Sequence, residues 1–441
     1  MILKILLELI SNAVYVPILV SAYLLYNYWR NYTFWSKSGL PYIPFPRDSV
    51  IYPVHKAVTF KRFYDELAPH PVGGFHKMST PYLMIRDPEI IRKILVKDFA
   101  HFVDRGIQIH EDLDPLNRNI FNLEGERCEA LENDRNELSR VVNSVMRDSN
   151  YFAMRSFLRS TGLPLVRWLG LKRIPALVDD FFLCFVDATL KSRAADPSPH
   201  DDILQSLIDL RREELEGSRT HPEAEPLVTN TFIAAMGFLL SVNASETTSG
   251  TLAYCLYELA LNPDIAHKCR EEVKSVLSKH GGDLSFDCLK DMSYLQCVID
   301  ETQRKYPVFG WLDRICTKDY EMPGTGYTVE KGTRVLIPVH ALHHDPLHFP
   351  NPDKFDPDRF SVDNKHNIPR GSYLPFGDGP RMCAGVRFAQ TAMKTAVAFL
   401  VTNYDFEPTI DTDIPLTFKR SMLFSVPQKG ISLRLRRRSE V

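Results

Sequence analysis

A single cysteine near the carboxyl end of the chain lies in a short loop whose composition suits the presentation of one thiolate. Residues 376–385 read Phe-Gly-Asp-Gly-Pro-Arg-Met-Cys-Ala-Gly, and the apolar residues that follow recur with the period of a helix. Cys383 is therefore predicted at a helix N-terminus, where free N–H groups favour the thiolate over the thiol. Gly385 lets a flat group approach without a Cβ in the way, and Arg381 could bind a carboxylate. Taken alone, the loop also fits a buried structural cysteine.

A second group of candidate residues lies midway along a predicted buried helix. Residues 232–242 are apolar on every side, and Asn-Ala-Ser-Glu-Thr-Thr-Ser follows before the apolar pattern resumes and stops at Pro263. An acid and several hydroxyls inside a buried helix are unfavourable unless they have partners or a function. Hydroxyls there can bond back to the preceding turn and open the helix locally. Glu246 and Thr247 are therefore candidate catalytic residues, and a polar patch tolerated at a helix bend is the alternative.

Composition and periodicity indicate a large folded domain built mostly of helices. The 441 residues are 44% hydrophobic with a net charge of −2, which argues against a nucleic-acid partner bound through a basic surface. Eight cysteines are scattered without paired metal-ligand spacing, as in a chain whose thiols stay reduced. Helical patterns dominate, and short strands are predicted at 72–76, 82–85, 334–338 and near the C-terminus. These patterns predict a mostly α fold with small β-sheets.

The amino-terminal residues predict a membrane anchor. Residues 5–26 are mostly apolar and end in a cluster of tyrosine, tryptophan and arginine, as at a bilayer interface. A cleaved signal peptide is the rival interpretation, although no clear small-residue cleavage site precedes the aromatic residues. The predicted organisation is an anchor at 1–30, a proline-rich connector at 31–48 and a catalytic domain at 49–441.

The cysteine loop resembles the haem-binding loop of the cytochromes P-450. The shared pattern is Phe-x-x-Gly-x-Arg-x-Cys-x-Gly, and the matching residues are Phe376, Gly379, Arg381, Cys383 and Gly385. The resemblance implies that Cys383 is the metal ligand of haem b and that the other four residues bind the cofactor. It also implies the cytochrome P-450 fold, with the haem buried between the central helix and the cysteine-ligand loop.

The central polar run resembles the oxygen-activation motif of the same family. The resemblance implies that Glu246 and Thr247 relay protons to the haem site. Asn243 and Ala244 depart from the motif, because they stand where a small residue and a glycine are usual. The resemblance also assigns a haem propionate contact to Arg314. It assigns a second one to Arg105, whose match to a family position is weaker.

Three charged residues resemble the structural cluster that supports the haem loop in this family. Glu301 and Arg304 are spaced to share a helix face, and Arg359 ends the run Phe-Asp-Pro-Asp-Arg. An isolated pair of this kind would by default be a surface ion pair of little energetic consequence. The resemblance predicts instead a carboxylate held between two guanidiniums.

The resemblance as a whole implies a haem-thiolate monooxygenase of the microsomal, xenobiotic-metabolising animal type. Such an enzyme oxidises small hydrophobic compounds (xenobiotics, lipids or hormones) with O2 and electrons from NADPH. The implied partners are NADPH–cytochrome P-450 reductase and, as an optional second donor, cytochrome b5. The implied location is the endoplasmic reticulum membrane, with one N-terminal anchor and the catalytic domain facing the cytosol. The predicted pocket segments are residues 106–116, 238–244, 308–312 and 422–424.

Two departures from the family leave alternatives open. The early Trp-x-x-x-Arg pair is replaced by Cys128 and Glu132, and a glutamate would repel a propionate. The chain between Cys128 and Glu246 is also too short for all the helices that the family packs there. One alternative is therefore a shortened, catalytically inactive isoform or fragment with weak or no haem binding. The other is a haem-thiolate isomerase or dehydratase that needs no reductase.

Overall fold

The computed structural model describes the chain in segments that form two compact units. The described residues are 21–22, 25–26, 28–30, 32–44, 55–77, 80–104, 176–195, 200, 202–217, 228–419 and 424–438. The first unit comprises Met1–Gly106, Phe309–Lys354 and Val362–Met382, and the second comprises Ile107–Val308, Phe355–Ser361 and Cys383–Val441. Most of the predicted anchor, together with Arg105, Cys128 and Glu132, lies outside the described residues.

Helices account for most of the described structure, as predicted. They are α1 (Lys56–Glu66), α2 (Pro88–Arg92), α3 (Ala176–Ala195), α4 (Ile203–Gly217), α5 (Asn230–Leu261), α6 (Pro263–Lys279), α7 (Phe286–Asp291), α8 (Ser293–Lys305), α9 (Val339–His343) and α10 (Val386–Asn403). The strands are short: β1 (Val72–Lys77), β2 (Thr80–Ile85), β3 (Leu312–Ile315), β4 (Tyr320–Met322), β5 (Tyr327–Val329), β6 (Arg334–Ile337), β7 (Tyr404–Pro408) and β8 (Leu433–Arg437). The mostly α class with small sheets is confirmed.

The first unit is built on a four-stranded sheet with the strand order β1-β2-β6-β3. Strands β1 and β2 pair antiparallel, β2 and β6 pair parallel, and β6 and β3 pair antiparallel. Leu83, Met84 and Ile85 are completely buried along β2, as expected for a strand covered on both faces. Helix α2 continues into a π-helical turn at Lys93–Lys97, which contacts the turn Gly379–Arg381 of the cysteine loop.

The second unit is organised around α5, which is 32 residues long. Thr229 caps its start by accepting a hydrogen bond from the N–H of Phe232. Pro263 follows its end, and this stop was predicted from the sequence. Its first half is largely buried among aromatic and aliphatic side chains of α3 and α4. Helices α3, α8 and α10 and strand β7 all contact α5. Despite this length, no helix among the described residues is apolar enough over a sufficient span to cross a membrane.

Candidate functional site

The first half of the cysteine loop, in the first unit, is shaped by two glycines with positive φ. Gly377 has φ 72° and Gly379 has φ 71°, a region that favours glycine. A Cβ on Gly379 would lie 1.9 Å from the carbonyl oxygen of Leu95, in the π-helical turn. Asp378 accepts a hydrogen bond from the N–H of Gly379 at 2.7 Å and fixes this approach. Gly379 is therefore needed for the close packing of the loop against its own unit.

The variant Gly379→Ala is expected to lower the free energy of unfolding by about 2–3 kcal/mol, because it adds a backbone clash to an unfavourable φ. Gly332→Ala is the matched control, since Gly332 has φ 91° with nothing within 4 Å of an added Cβ. It should cost only about 1 kcal/mol. Urea denaturation of the two variants side by side measures the difference, and equal midpoints would contradict the clash.

The second half of the loop, in the second unit, presents Cys383 at the start of α10. The helix begins at Val386, and its N-cap is Gly385, which has no side chain to satisfy the N–H groups of the first turn. Cys383 is partly exposed and forms no disulfide. Apart from its chain neighbours, an added Cβ on Gly385 would find only the Cys383 sulfur within 4 Å in the described part of the chain, at 3.9 Å. Cys383 therefore lies just before the first turn of α10, and the space beside Gly385 is open, whereas ligation of iron by the Cys383 sulfur stays a prediction.

Glu246 and Thr247 lie in the middle of α5, and the helix is continuous through them. The Thr247 hydroxyl donates to the carbonyl of Asn243 at 2.5 Å, and Thr251 repeats this bond to the carbonyl of Thr247 at 2.9 Å. These bonds to the preceding turn were predicted, but the local opening of the helix was not found. The hydroxyls add to the helical hydrogen bonds without replacing them, so α5 remains regular from Asn230 to Leu261.

The carboxyl group of Glu246 is held in a partly desolvated position. Burial raises the pKa of Glu246, and the charge of Lys419 acts weakly in the opposite direction. The acid form therefore persists to a higher pH than in an ordinary glutamic acid. A carboxylic acid whose pKa is raised toward the working pH is better suited to proton donation than an ordinary glutamate.

The predicted cluster of Glu301, Arg304 and Arg359 is present in the second unit. Arg304 donates two hydrogen bonds to the Glu301 carboxylate at 2.8 and 2.9 Å, and both side chains have zero exposure. The guanidinium of Arg359 lies 3.5 Å from Oε1 of Glu301. The backbone N–H of Asp356 donates to the same oxygen at 2.9 Å. This last contact has no sequence signal, because a backbone group carries no residue identity.

The cluster fastens the segment 355–360 to α8 by charge-assisted hydrogen bonds. A carboxylate with several donors around it keeps its charge satisfied although water is excluded. The surface-pair interpretation is thus wrong for Glu301 and Arg304.

Comparison with known proteins assigns the chain to a family. The sequence profile described as Cytochrome P-450 matches residues 125–435, more than half of the chain. The chain belongs to the cytochrome P-450 family. It is accordingly a haem-thiolate monooxygenase with a haem-iron cofactor. The two alternatives, a shortened inactive form and a haem-thiolate isomerase or dehydratase, are not better supported by these comparisons than the monooxygenase is.

Its relatives among P-450 proteins include several from insects. Cytochrome P-450 6B1 of Papilio polyxenes is 30% identical over 478 aligned positions, covering 94% of this chain and 96% of the relative. Probable cytochrome P-450 6a14 of Drosophila melanogaster and cytochrome P-450 6j1 of Blattella germanica are also 30% identical, over 92% of this chain and 96% and 93% of the relatives. An alignment of 478 positions exceeds the 441 residues of this P-450, so the relative has residues without a counterpart here.

The thiols of this P-450 differ in their fitness as an iron ligand. Five of the described cysteines are buried, and burial raises the pKa of Cys255 to about 12 and of Cys297 to about 11. A thiol with a raised pKa resists the deprotonation that metal ligation requires. Cys383 and Cys184 are the two described cysteines that are not buried, and Cys383 alone of these lies in the matching loop. The donor set therefore fits a haem iron at Cys383.

The remaining predicted cofactor residues of this P-450 lie in the first unit. Arg314 is buried in β3 and donates to the carbonyl of Asp313 at 2.9 Å. Phe376 is half-buried and Arg381 is exposed at the turn before Cys383. Arg105 lies outside the described residues. The carboxylate-binding roles of these arginines therefore stay predictions.

Proposed function

We propose that this P-450 oxidises small hydrophobic compounds, using a haem b that is ligated by Cys383 and electrons that reach it from NADPH. The observation that carries the proposal lies within the second unit. A partly exposed thiol precedes α10, and α10 packs on the helix that holds Glu246 and Thr247. Oxygen activation at a haem requires an iron ligand and a source of protons. Here the ligand precedes one helix, and the acid–hydroxyl pair lies on a second helix that contacts the first.

Different residues of the chain are proposed to bind different parts of the cofactor. Cys383 would supply the sulfur ligand of the iron, and Gly385 leaves the room that a flat ring needs. Arg314, Arg381 and Arg105 supply guanidinium forks suited to propionate carboxylates, and Phe376 and Gly379 shape the loop. When bound, haem supplies the electron transfer and oxygen chemistry that no side chain can provide.

The acid–hydroxyl pair supplies protons. Burial raises the pKa of Glu246, so its carboxyl group keeps its proton to a higher pH than an ordinary glutamic acid does. The Thr247 hydroxyl directs its own hydrogen to the carbonyl of Asn243, which leaves its oxygen lone pairs available to accept a proton from a neighbour. In the proposed relay the Thr247 oxygen takes up a proton that comes from Glu246 and releases its own hydroxyl hydrogen, which leaves the Asn243 carbonyl, so that the hydroxyl is restored after each transfer.

Glu246→Gln is expected to lower the product formed per NADPH consumed about tenfold, because an amide cannot release a proton. In the wild type this yield should fall as the pH rises through the raised pKa of Glu246, since the donor then loses its proton. The variant should show no such fall. A lipophilic probe such as a 7-alkoxycoumarin, assayed with added reductase, measures the yield.

The control for this variant is Glu271→Gln, an exposed glutamate on α6 in the same unit. It should behave as the wild type at every pH. A wild-type yield that is flat across the pH range would contradict a proton-donating Glu246.

The proposed partners follow from the family and from the amino-terminal residues. NADPH–cytochrome P-450 reductase is the proposed electron donor, with cytochrome b5 as an optional second donor. The proposed anchor at 1–30 holds the enzyme on the cytosolic side of the endoplasmic reticulum membrane. Exposed Tyr26 and Trp29 support an interfacial position, whereas buried Trp35 donates to the carbonyl of Phe75 at 3.0 Å inside the folded unit. The connector at 31–48 and the domain at 49–441 complete the proposed organisation.

The test of the function is spectroscopic first and catalytic second. The reduced full-length protein under carbon monoxide should show the red-shifted Soret band of a thiolate-ligated haem. Its absence would favour the shortened, inactive form. Oxidation of the lipophilic probe should then require NADPH and reductase. Conversion of a probe by the haem-loaded protein without either would favour an isomerase or dehydratase.

A further inference from the structure

Ser425, near the carboxyl end, is fixed in place by three hydrogen bonds within the second unit. Its N–H donates to the carbonyl of Val308 at 2.9 Å, and its hydroxyl donates to the carbonyl of Pro307, also at 2.9 Å. Its own carbonyl accepts a hydrogen bond from the hydroxyl of Tyr254 on α5. The serine therefore joins the end of the α8 segment to the second half of α5.

The Tyr254 side chain is itself rigidly oriented. Its ring stacks on Tyr306 with the centroids 4.7 Å apart and the planes 14° from parallel. The Tyr306 hydroxyl donates to Glu258 at 2.5 Å, and the Lys305 ammonium lies 2.8 Å from the same carboxylate oxygen. Burial raises the pKa of Tyr254, so its hydroxyl stays protonated and acts as the donor to Ser425. The contact depends on a hydroxyl that has little freedom to turn away.

Tyr254 lies on the same face of α5 as Thr247, the hydroxyl of the proposed proton pathway. Thr247, Thr251, Tyr254 and Glu258 are spaced at i, i+4, i+7 and i+11, which places them in one stripe along the helix. Thr247, at one end of this stripe, belongs to the proposed proton pathway, and Tyr254, about two turns further along, donates to Ser425.

A residue bonded to the chain next to Ser425 carries a charge that acts on Glu246. Phe418 and Pro427 form an antiparallel bridge, and Lys419 donates through its backbone to the carbonyl of Val426 at 2.8 Å. The charge of Lys419 acts on Glu246, so this segment lies within electrostatic range of the acid. Phe424, which precedes Ser425, is buried and belongs to a segment predicted to line the substrate pocket.

We infer that Tyr254 is a positioning residue for ligand selectivity, whose hydroxyl fixes the Ser425 carbonyl and through it the place of Phe424 beside the catalytic face of α5. The inference rests on the proposed function. In this inference the ligands that respond to Tyr254 are bulky apolar molecules with an aromatic end, because they are large enough to contact Phe424. A small ligand of the iron is not large enough. Loss of the Tyr254 hydroxyl should therefore change discrimination between large and small ligands and leave the cofactor itself intact.

The test compares Tyr254→Phe with Tyr257→Phe in the haem-loaded, full-length protein. Both variants remove one hydroxyl from the same aromatic cluster, but the Tyr257 hydroxyl donates to the carbonyl of Asp413 at 3.2 Å and not to Ser425. Optical titrations with imidazole and with 4-phenylimidazole give a dissociation constant for a small and a large iron ligand. Tyr254→Phe should change the ratio of the two constants about threefold or more, as expected from the loss of a buried hydrogen bond. Tyr257→Phe should leave the ratio within experimental error.

A double-mutant cycle tests whether the effect passes through Phe424. Phe424→Ala should change the same ratio, and adding Tyr254→Phe to it should have little further effect, because the residue being positioned is gone. An unchanged ratio in Tyr254→Phe, an equal change in Tyr257→Phe, or full additivity with Phe424→Ala would each overturn the inference. Should Tyr254→Phe yield too little haem protein, Ser425→Ala, which removes the bond to Pro307, is titrated in its place with the same expectation.

The proposed function fails in a different way. A wild-type protein whose reduced carbon monoxide complex has no thiolate-type Soret band removes the basis of both proposals before any titration. A normal band with an unchanged ratio in Tyr254→Phe removes only the inference on selectivity.

Discussion

Replacing Cys383 with serine is expected to abolish both the thiolate-type Soret band of the reduced, carbon monoxide-bound protein and the monooxygenase activity. A serine hydroxyl keeps its proton at neutral pH and is a poor iron ligand, whereas a thiolate donates electron density to the iron. The change is nearly isosteric, so α10 and its packing on α5 should survive. Absorption spectra of the reduced protein, before and after carbon monoxide, measure the effect directly.

The matched control is Cys184→Ser, because Cys184 is the other cysteine in the described part of the chain that is not buried. It lies on α3 and not in the cysteine loop, and its replacement should leave the spectrum unchanged. Circular dichroism of both variants should match the wild type. A Cys383→Ser protein that keeps the unaltered band would show that another residue ligates the iron.

The parts of this fold that the sequence predicts are those set by local patterns. The helix after Cys383 follows from its apolar period, and Met393 and Val397 on that stripe are buried. The strands predicted at 72–76 and 334–338 agree with the structure to within one residue at each end, because short apolar segments between turns are local signals. The end of α5 was predicted from Pro263, because proline has no N–H to continue the hydrogen bonds of the preceding helix.

The parts that the sequence does not predict are contacts between distant residues. Tyr254 and Ser425 are 171 positions apart, and nothing in either local pattern signals their hydrogen bond. The requirement for glycine at position 379 also depends on a distant residue, since the carbonyl oxygen of Leu95 leaves no room for a Cβ there. The local opening of α5 at Thr247 was wrongly predicted, because the threonine hydroxyls bond to carbonyls that keep their helical hydrogen bonds, and the sequence does not show which of the two arrangements a hydroxyl will adopt.

The Glu-Arg-Arg cluster was predicted by resemblance and not by physics alone. An i, i+3 pair gives no indication of its burial, and the same spacing at Asp209 and Arg212 produces an exposed ion pair. Their side chains are 39% and 66% exposed, whereas those of Glu301 and Arg304 are completely buried. The difference lies in what covers the helix, and the two pairs therefore make a matched test of burial.

Glu301→Gln is expected to lower the free energy of unfolding by about 3–5 kcal/mol, because it leaves the buried guanidinium of Arg304 without a compensating charge. The amide keeps the volume of the carboxyl group, so the loss reflects charge and hydrogen bonding, not a cavity. It also replaces one carboxylate oxygen by an N–H2 group, so the donors that face that oxygen lose their acceptor. The midpoint of urea denaturation and the fraction of protein that retains haem measure the effect.

Asp209→Asn provides the control for this last variant, because it removes the acid from an i, i+3 pair that water can solvate. It should lower the free energy of unfolding by about 0.5 kcal/mol or less. Since the segment 355–360 is held by Glu301 through Arg359 and the N–H of Asp356, haem retention should fall in Glu301→Gln and not in Asp209→Asn. Equal midpoints for the two variants would mean that the buried carboxylate does not stabilise the fold more than an exposed one.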